Sequence, residues 1–439
     1  MKRGTIALAL ILALTPALAM APALAEGGAS AGEAPPAKEA VLSEQAAPSE
    51  EAPPEGEEES PLPSPAGPDA ADAAQAQPDA LGEVSFANME RRMREKNLQI
   101  LSLQENVDSL ENFDYDELYE DLRNSLNAIN AGQYALFQMG MGGSAASELE
   151  QSYAAVEKQF DDLKKGRLQR TNAGTVRQLK NLQDQIVMAG ESMYTALLAM
   201  ETQEDGLARQ LAALDRQLEE LELRYQLGQV SALQLTQARA GRASLESGLE
   251  TLRMNIRVYK VQLEMLLGAE QTGEIKLGGV PAVTEAQLAA MDLEADLAAA
   301  KKASYELYAA KQELDDAYTP YAAPGGVGNA YQAGQHSFQA AKYTYQNTVQ
   351  NYELKFRTLY SQVKDNQQVL SASRVSLAAR EQEYAAAELK FRQGSVSQNA
   401  LLQAQDSLNE AKEAVRSASE NLFASYNSYC WAAEHGILN

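Results

Sequence analysis

The feature that most constrains this chain is a turn motif that occurs twice, each time between segments of 3.5-residue apolar periodicity. The first copy runs from Leu223 through Arg224, Tyr225, Gly228, Val230, Ser231 and Leu235 to Ala238. The second runs from Leu389 through Lys390, Phe391, Arg392, Gly394, Val396, Ser397 and Leu401 to Ala404. At one fixed offset a basic residue, an aromatic, Gly, Val, Ser, Leu, Gln and Ala all superpose. Glycine lets a helix stop in the left-handed conformation without a Cβ clash. A serine three residues later is a good N-cap for a new helix. Each copy therefore predicts helix, tight turn, helix: the tip of an antiparallel α-hairpin. Two such tips make a tandem repeat.

The flanking heptads can be followed residue by residue. Before the first tip, Leu207, Leu211, Leu214, Leu218, Leu221 and Tyr225 alternate steps of four and three. After it come Leu235, Ala238, Arg242, Leu245, Leu249, Leu252, Ile256, Tyr259, Leu263 and Leu266, with Arg242 the one polar member. Val363, Leu370, Leu377, Tyr384 and Phe391 lead into the second tip at every seventh residue. Leu401, Ala404, Leu408, Ala411, Val415, Ala418, Leu422, Ser425 and Tyr429 lead away from it. A sustained period of 3.5 means coiled-coil packing with a left-handed supercoil.

The pattern basic-aromatic-x-x-Gly-x-Val-Ser-x-x-x-Leu-x-x-Ala, present twice after long helices, resembles the TolC family of outer-membrane efflux ducts. Leu267-Gly268, closing the first ascending helix, and the stretch from Met93 to Asn97 and Leu98 are similar to the family as well. The resemblance covers roughly residues 83 to 439. It implies an all-α fold with little or no β structure: two tandem repeats of very long coiled-coil helices, forming an antiparallel α-hairpin duct, the TolC-like α-barrel. The repeats are expected at 83–280 and 281–439. The resemblance further implies a homotrimer, with the two tips as the surface that meets a membrane-fusion adaptor of an efflux pump.

The remainder of the chain is read in order. Residues 1–25 have the layout of a secretory signal: Lys2 and Arg3, an apolar core from Ile6 to Leu14, and the small-x-small site Ala23-Leu24-Ala25. That apolar core is too short to span a bilayer. No cysteine follows it, so a lipid-anchored mature N-terminus is not expected. Residues 26–82 are rich in Pro, Ala, Glu and Gly and carry roughly half of the formal charge of −24. Such a segment buries too little apolar surface to offset its ordering entropy, so a disordered acidic tether is expected. Phe86 to Gln138 is helical in pattern. From Ser144 to Leu227 the chain is helix-compatible, with Gly166 and Asn172-Ala173-Gly174 as soft points, a reach of roughly 125 Å if unbroken. Thr272 to Val283 is a linker that can hold a short strand. Helix is expected again from Thr284 to about Asp316, and a second long arm runs from Ala330 to the Gly394 tip.

Two departures from the family pattern bear on function. In TolC-like ducts each repeat contributes a β-hairpin to a membrane barrel, and each strand needs about 9–11 residues. The breakpoints here, Met139 to Ser144 and Tyr318 to Gly328, are too short to supply two such strands. A barrel-less relative is expected, exported to the cell envelope with no direct membrane span, in a cell without an ordinary outer membrane. The family also often places Asp three residues after the tip serine. Those positions are Gln234 and Ala400, so a charge-gated aperture is not expected at them.

No chemistry-bearing motif competes with this reading. His336 and His435 are the only histidines and have no partner at metal-ligand spacing. Cys430 is the only cysteine, beside Trp431, and reads as core. There is no nucleophile elbow, phosphate-binding loop or dinucleotide fingerprint. No enzyme activity, cofactor or metal is expected, and net acidity argues against a nucleic-acid partner. The competing reading is a non-transporting coiled-coil spacer of the envelope, which needs only the heptads. A third, the adaptor itself, is disfavoured because adaptors resemble β-rich modules around a single hairpin.

Overall fold

The computed structural model describes residues 79–80, 82–140, 144–321 and 329–438. The expected signal peptide, nearly all of the acidic tether, and the breakpoint segments 141–143 and 322–328 lie outside the described residues. The chain divides into two units. Met1–Ser60 lies wholly outside the described residues, and Pro61–Asn439 contains them all.

Within the second unit the fold is all-α. The first repeat segment holds β1 (Glu83–Val84), α1 (Phe86–Lys96), α2 (Leu98–Glu111), α3 (Tyr115–Gln138), α4 (Ser144–Lys164), α5 (Arg167–Gln226), α6 (Ala232–Leu266) and β2 (Lys276–Leu277). The second holds α7 (Glu285–Ala290), α8 (Leu293–Ala303), α9 (Tyr305–Tyr321), α10 (Asn329–Arg392) and α11 (Gln398–His435). The long arms α5 and α10 have 60 and 64 residues, about 90 Å each at 1.5 Å per residue. β1 and β2 pair in parallel over two residues each; β2 lies within the expected linker, and its partner β1 is at the start of the first repeat.

The arms and their return helices are antiparallel. Across α5 and α6, Glu222 meets Arg239, Asp215 meets Arg242 and Glu204 meets Arg253. α5 also packs against α11 of the other repeat, again antiparallel, through Asp406 with Arg216 and Arg416 with Asp205. Every heptad position named on α6 and α11 is buried or half-buried, so the period does mark the packed face.

Three expected helices are interrupted, each for a visible reason. The 86–138 stretch is three helices, not one. Asn97 Oδ1 accepts from the backbone N–H of Gln99 and Ile100 at 2.9 and 3.1 Å, capping α2. Its Nδ2 donates to the Leu266 carbonyl at 2.8 Å. Asp114 caps α3 in the same manner. The arm from Ser144 breaks at Gly166, where φ is 66°, so its longest unbroken part is α5. The other soft point, 172–174, stays helical. Asn172 donates to the Tyr115 hydroxyl at 2.9 Å, and Gly174 faces Tyr308. The 284–316 stretch is three helices, with Thr284, Asp292 and Ser304 accepting from their first-turn N–H groups.

These short helices form a belt around the arms, and the core lies there. One cluster gathers Met89, Met93, Tyr194, Leu197, Phe423 and Trp431; another gathers Tyr352, Phe356, Val363, Tyr426 and Tyr429. One tyrosine from each arm holds the belt. The Tyr194 hydroxyl lies 2.5 Å from the Gly278 carbonyl and 3.1 Å from that of Val84. The Tyr352 hydroxyl lies 3.1 Å from the carbonyls of Ala300 and Gly436. Glu191 joins the repeats: its carboxylate accepts from Trp431 Nε1 at 2.7 Å and Asn427 Nδ2 at 2.8 Å. Burial pushes the Glu191 carboxyl above the usual carboxylate range despite those two bonds. Asp79, near the end of the acidic segment, is tied to α1 by Ser85, Asn88 and Arg92.

The seams are tight at the belt and loosen toward the tips. Val363 and Leu370 are buried, Leu377 and Tyr384 half-buried, and Phe391 is exposed. The α3–α4 and α9–α10 pairs extend from the belt in the direction opposite to the glycine tips.

Candidate functional site

The two tips are built alike from the backbone outward. At the end of α5, Gly228 has φ 72°. Its N–H donates to the Tyr225 carbonyl at 2.9 Å, and Gln229 N–H donates to that of Arg224 at 2.8 Å. At the end of α10, Gly394 has φ 71°. Gly394 N–H donates to Phe391 and Ser395 N–H to Lys390, at 2.9 and 2.8 Å. Both are Schellman stops, which satisfy the last carbonyls of a helix through one left-handed residue. No atom lies within 4 Å of where a Cβ would stand on either glycine. Their positive φ, not crowding, is what requires glycine.

The serines then restart the chain. Ser231 Oγ accepts from Gln234 N–H at 3.3 Å, and Gln234 Oε1 accepts from Ser231 N–H at 2.9 Å. This reciprocal pair is a capping box. It gives Gln234 a structural role at the position where the family often has Asp. Ser397 Oγ accepts from Ala400 N–H at 3.3 Å, but the Ala400 methyl has no acceptor to return the bond.

The tips lie side by side. Asn399 Nδ2, on the first turn of α11, donates to Glu220 Oε2 on the last turns of α5 at 3.1 Å. Glu220 also pairs with Arg224, and Glu388 with Arg392. These arginines are therefore held along their own helices, while Lys390 stands exposed. Glu222 and Arg239, 2.7 Å apart, bridge α5 and α6 at the first tip. With Tyr225, Gln226, Ala232, Leu235 and Thr236 they line a shallow depression. Leu235 is buried; Val230, Ala238, Val396, Leu401 and Ala404 are half-buried; Tyr225 and Phe391 are exposed. The arrangement offers small apolar knobs between charged rims, which suits a helical partner. Among the described residues no group of three or more His, Cys, Asp or Glu is placed to hold a metal ion.

Sequence reasoning passed over the belt. Glu264 accepts from the backbone N–H of Gly273 and Ile275 at 2.7 and 3.2 Å, and from the Thr272 hydroxyl, fixing the linker that carries β2. His435 Nδ1 lies 3.3 Å from Asp184, which also accepts from Arg94. The hydrogen bond to Asp184 holds the His435 imidazole above its ordinary pKa, against the effect of burial. A single glutamate or histidine in a heptad carries no mark of such a role. Only Asn97 had one, through its place in the family pattern.

No family model matches the chain, and no curated protein matches it. Among solved structures it is similar to the outer membrane protein VceC from Vibrio cholerae, at 13% identity and TM-score 0.44, over 80% of this chain and 96% of that one. It is similar to the outer-membrane channel OprN at 14% identity and TM-score 0.48, over 80% and 90% of the two chains. It is also similar to CusC at 14% identity and TM-score 0.46, over 82% and 95%. The solved structures that this chain resembles are channels of the TolC family.

Proposed function

We propose that this chain is a TolC-like duct component of an envelope-spanning efflux or secretion system, and that its two glycine tips dock a membrane-fusion adaptor. The observation that carries the reading is the pair of tips. Each ends a coiled-coil arm of about 90 Å with the same Schellman stop and serine cap, and Asn399 ties the second tip to the first. A spacer needs turns, but not two adjacent turns with matching Val, Ser, Leu and Ala. In this reading Val230, Leu235 and Ala238, with Val396, Leu401 and Ala404, are the contact knobs. Tyr225, Phe391, Arg224, Lys390 and Arg392 line their edges, and Gly228, Gly394, Ser231 and Ser397 shape the turns.

The half-buried seams near the tips suit closure by further copies, as in a homotrimer whose helices surround a hollow passage. The helix ends leave only residues 139–143 and 322–328 between the helices of the outer hairpin pairs, each shorter than one barrel strand of about 9–11 residues. The duct is accordingly read as barrel-less, exported to the cell envelope.

The test is capture of the cognate adaptor by Gly228→Leu and Gly394→Leu, with circular dichroism on each variant. Left-handed strain of ~1–2 kcal/mol at a hairpin end leaves the fold intact, while the shifted turn abolishes docking. Arg242→Gln, outside both tips, keeps docking. Folded glycine variants that bind the adaptor fully would return the reading to a spacer.

A further inference from the structure

A carboxylate is sealed into the joint between the repeats without a counter-charge. Glu191, on α5 of the first repeat, is 5% exposed. It meets Trp431 and Asn427 on α11 of the second, and both donors bond to the same oxygen, Oε2. Among the described residues Glu191 has no ion pair: Arg94 is turned to Glu90 and Asp184, and His435 to Asp184. A buried carboxylate held by two neutral donors is costly while it is charged. With a proton on Oε1 it keeps both bonds, because Oε2 still accepts, and the charge is gone.

A second titratable group lies one turn further along α11. The His435 imidazole stacks on Trp431, ring centroids 4.5 Å apart, and its Nδ1 lies 3.3 Å from Asp184 of α5. From α1 come Glu90 and Arg94, 2.8 Å apart, with Arg94 also 2.8 Å from Asp184. From α11 come Glu434, exposed, and the Cys430 thiol, which burial keeps neutral. α2 meets this part of α5 through the neutral pair Gln104 and Gln183. On α6, Lys260 is paired with Glu201, and Glu264 is bound to the backbone of Gly273 and Ile275. When His435 is neutral and Glu191 ionised, the carboxylates of Glu90, Asp184, Glu191 and Glu434 share one guanidinium, that of Arg94. A proton on each of the two groups leaves three carboxylates facing two cations.

We propose that Glu191 and the Asp184–His435 pair form a pH-operated latch between the two repeats, shut in mild acid and loosened as the pH rises. The latch holds the belt ends of α5 and α11, whose far ends Glu220 and Asn399 join at the tips. Its direction follows from the proton balance. Burial raises the Glu191 carboxyl above its ordinary 4.5. The bond to Asp184 raises His435 above its ordinary 6.5. A group whose folded value is raised contributes its stability fully below the ordinary value, and loses it as the pH climbs through the raised one. Both groups therefore loosen the joint in the same direction, Glu191 from 4.5 upward and His435 from 6.5 upward. Against burial, the bonds from His435 and Arg94 hold Asp184 below 3.8, so it stays ionised throughout. The tyrosine ties of the belt do not titrate with it, because burial pushes the Tyr194 and Tyr352 hydroxyls well up. The proposal does not depend on what the glycine tips bind.

Trp431 is the only tryptophan of the chain, so its emission reports on the latch directly. The experiment follows that emission maximum, and the hydrogen-exchange protection of residues 422–435 corrected for the intrinsic pH dependence of exchange. It uses the purified mature protein from about pH 5 to about pH 9. As the pH rises, the emission is expected to move to longer wavelength and the protection to fall several-fold. Protection midway along α6, around Leu249 and Ile256, is expected to hold. The double variant E191Q with H435Q, neutral at both sites, is expected to show neither change, with circular dichroism establishing that it is folded. Emission and protection that ignore pH in the parent overturn the proposal, whether or not the variant folds. A folded double variant that keeps the parent's response overturns it as well, and assigns the response to Glu90 or Glu434. An equal loss of protection along α6 overturns it too, because the whole chain rather than the joint would then be responding.

Discussion

Replacing Gly436 by Ala measures how closely the end of α11 is fitted into the belt. Gly436 has φ 66°, and a Cβ there would stand 2.3 Å from Ser304 N, 2.5 Å from Ser304 Cα and 2.7 Å from the Ala300 carbonyl. Those are backbone atoms, which cannot swing aside as a side chain can. The Gly436 carbonyl also lies 3.1 Å from the Tyr352 hydroxyl, so moving the turn loosens that contact. Gly394 is the internal comparison, with φ 71° and nothing within 4 Å of its Cβ site. G394A therefore bears the left-handed strain alone, ~1–2 kcal/mol. G436A bears the same strain, plus ~1–3 kcal/mol of overpacking and ~1 kcal/mol from the disturbed hydrogen bond. The two variants should differ by ~2–4 kcal/mol. Urea unfolding of both, read as midpoint and slope, makes the comparison. A difference below ~1 kcal/mol would refute the close approach of Gly436 to Ser304.

Three further outcomes follow from the belt. E191A removes the acceptor of Trp431 and Asn427 and leaves two buried donors unpaired, a loss of ~2–5 kcal/mol; E191Q, which keeps an acceptor, should lose less than half of that in the same unfolding assay. The folded pKa of His435 is raised above its ordinary 6.5, so its pairing with Asp184 stabilises fully below that value and is lost as pH rises through the raised one. The folded Asp184 is depressed: burial opposes its charge, but the bonds from His435 and Arg94 outweigh it. Its contribution is present above 3.8 and lost as pH falls. The stability gap between parent and H435Q should thus be widest between those two values and shrink above neutrality, and a gap constant from pH 5 to pH 9 would count against the pair. Burial pushes the Cys430 thiol up to about 12, so in the folded protein it should resist alkylation at neutral pH and react only on unfolding; fast labelling of native protein would contradict that burial.

Much of the tip was legible in advance because its information is local. A Schellman stop needs one residue of positive φ, and Gly228 and Gly394 declare it. A cap needs an oxygen beside the first free N–H groups, and Ser231 and Ser397 supply it. The heptads on α6 and α11 were legible for a similar reason, since a period of 3.5 in sequence is a face in space. The short helices were not. Asn97 lies inside a pattern that reads as continuous helix, yet its side chain takes the first-turn N–H groups of α2 and reaches the Leu266 carbonyl. Gly166 and Gly174 look alike in sequence. Only the first ends a helix, because the second faces Tyr308 across a packed interface.

The sequence by itself therefore determined the elements that depend on neighbours along the chain: an all-α repeat of long antiparallel hairpins, the two tips and the serine caps. Tertiary structure alone decided where those elements lock. Tyr194 against Gly278, Tyr352 against Gly436, and Glu191 beneath Trp431 are contacts between residues more than eighty positions apart. Nothing at either partner announces the other, because a heptad specifies a packed face but not which helix covers it. That choice was made by the belt, where buried polar groups had to be matched or left unpaired at a cost. The same registration set Asn399 against Glu220, and so brought two turns far apart in sequence to one end of the molecule.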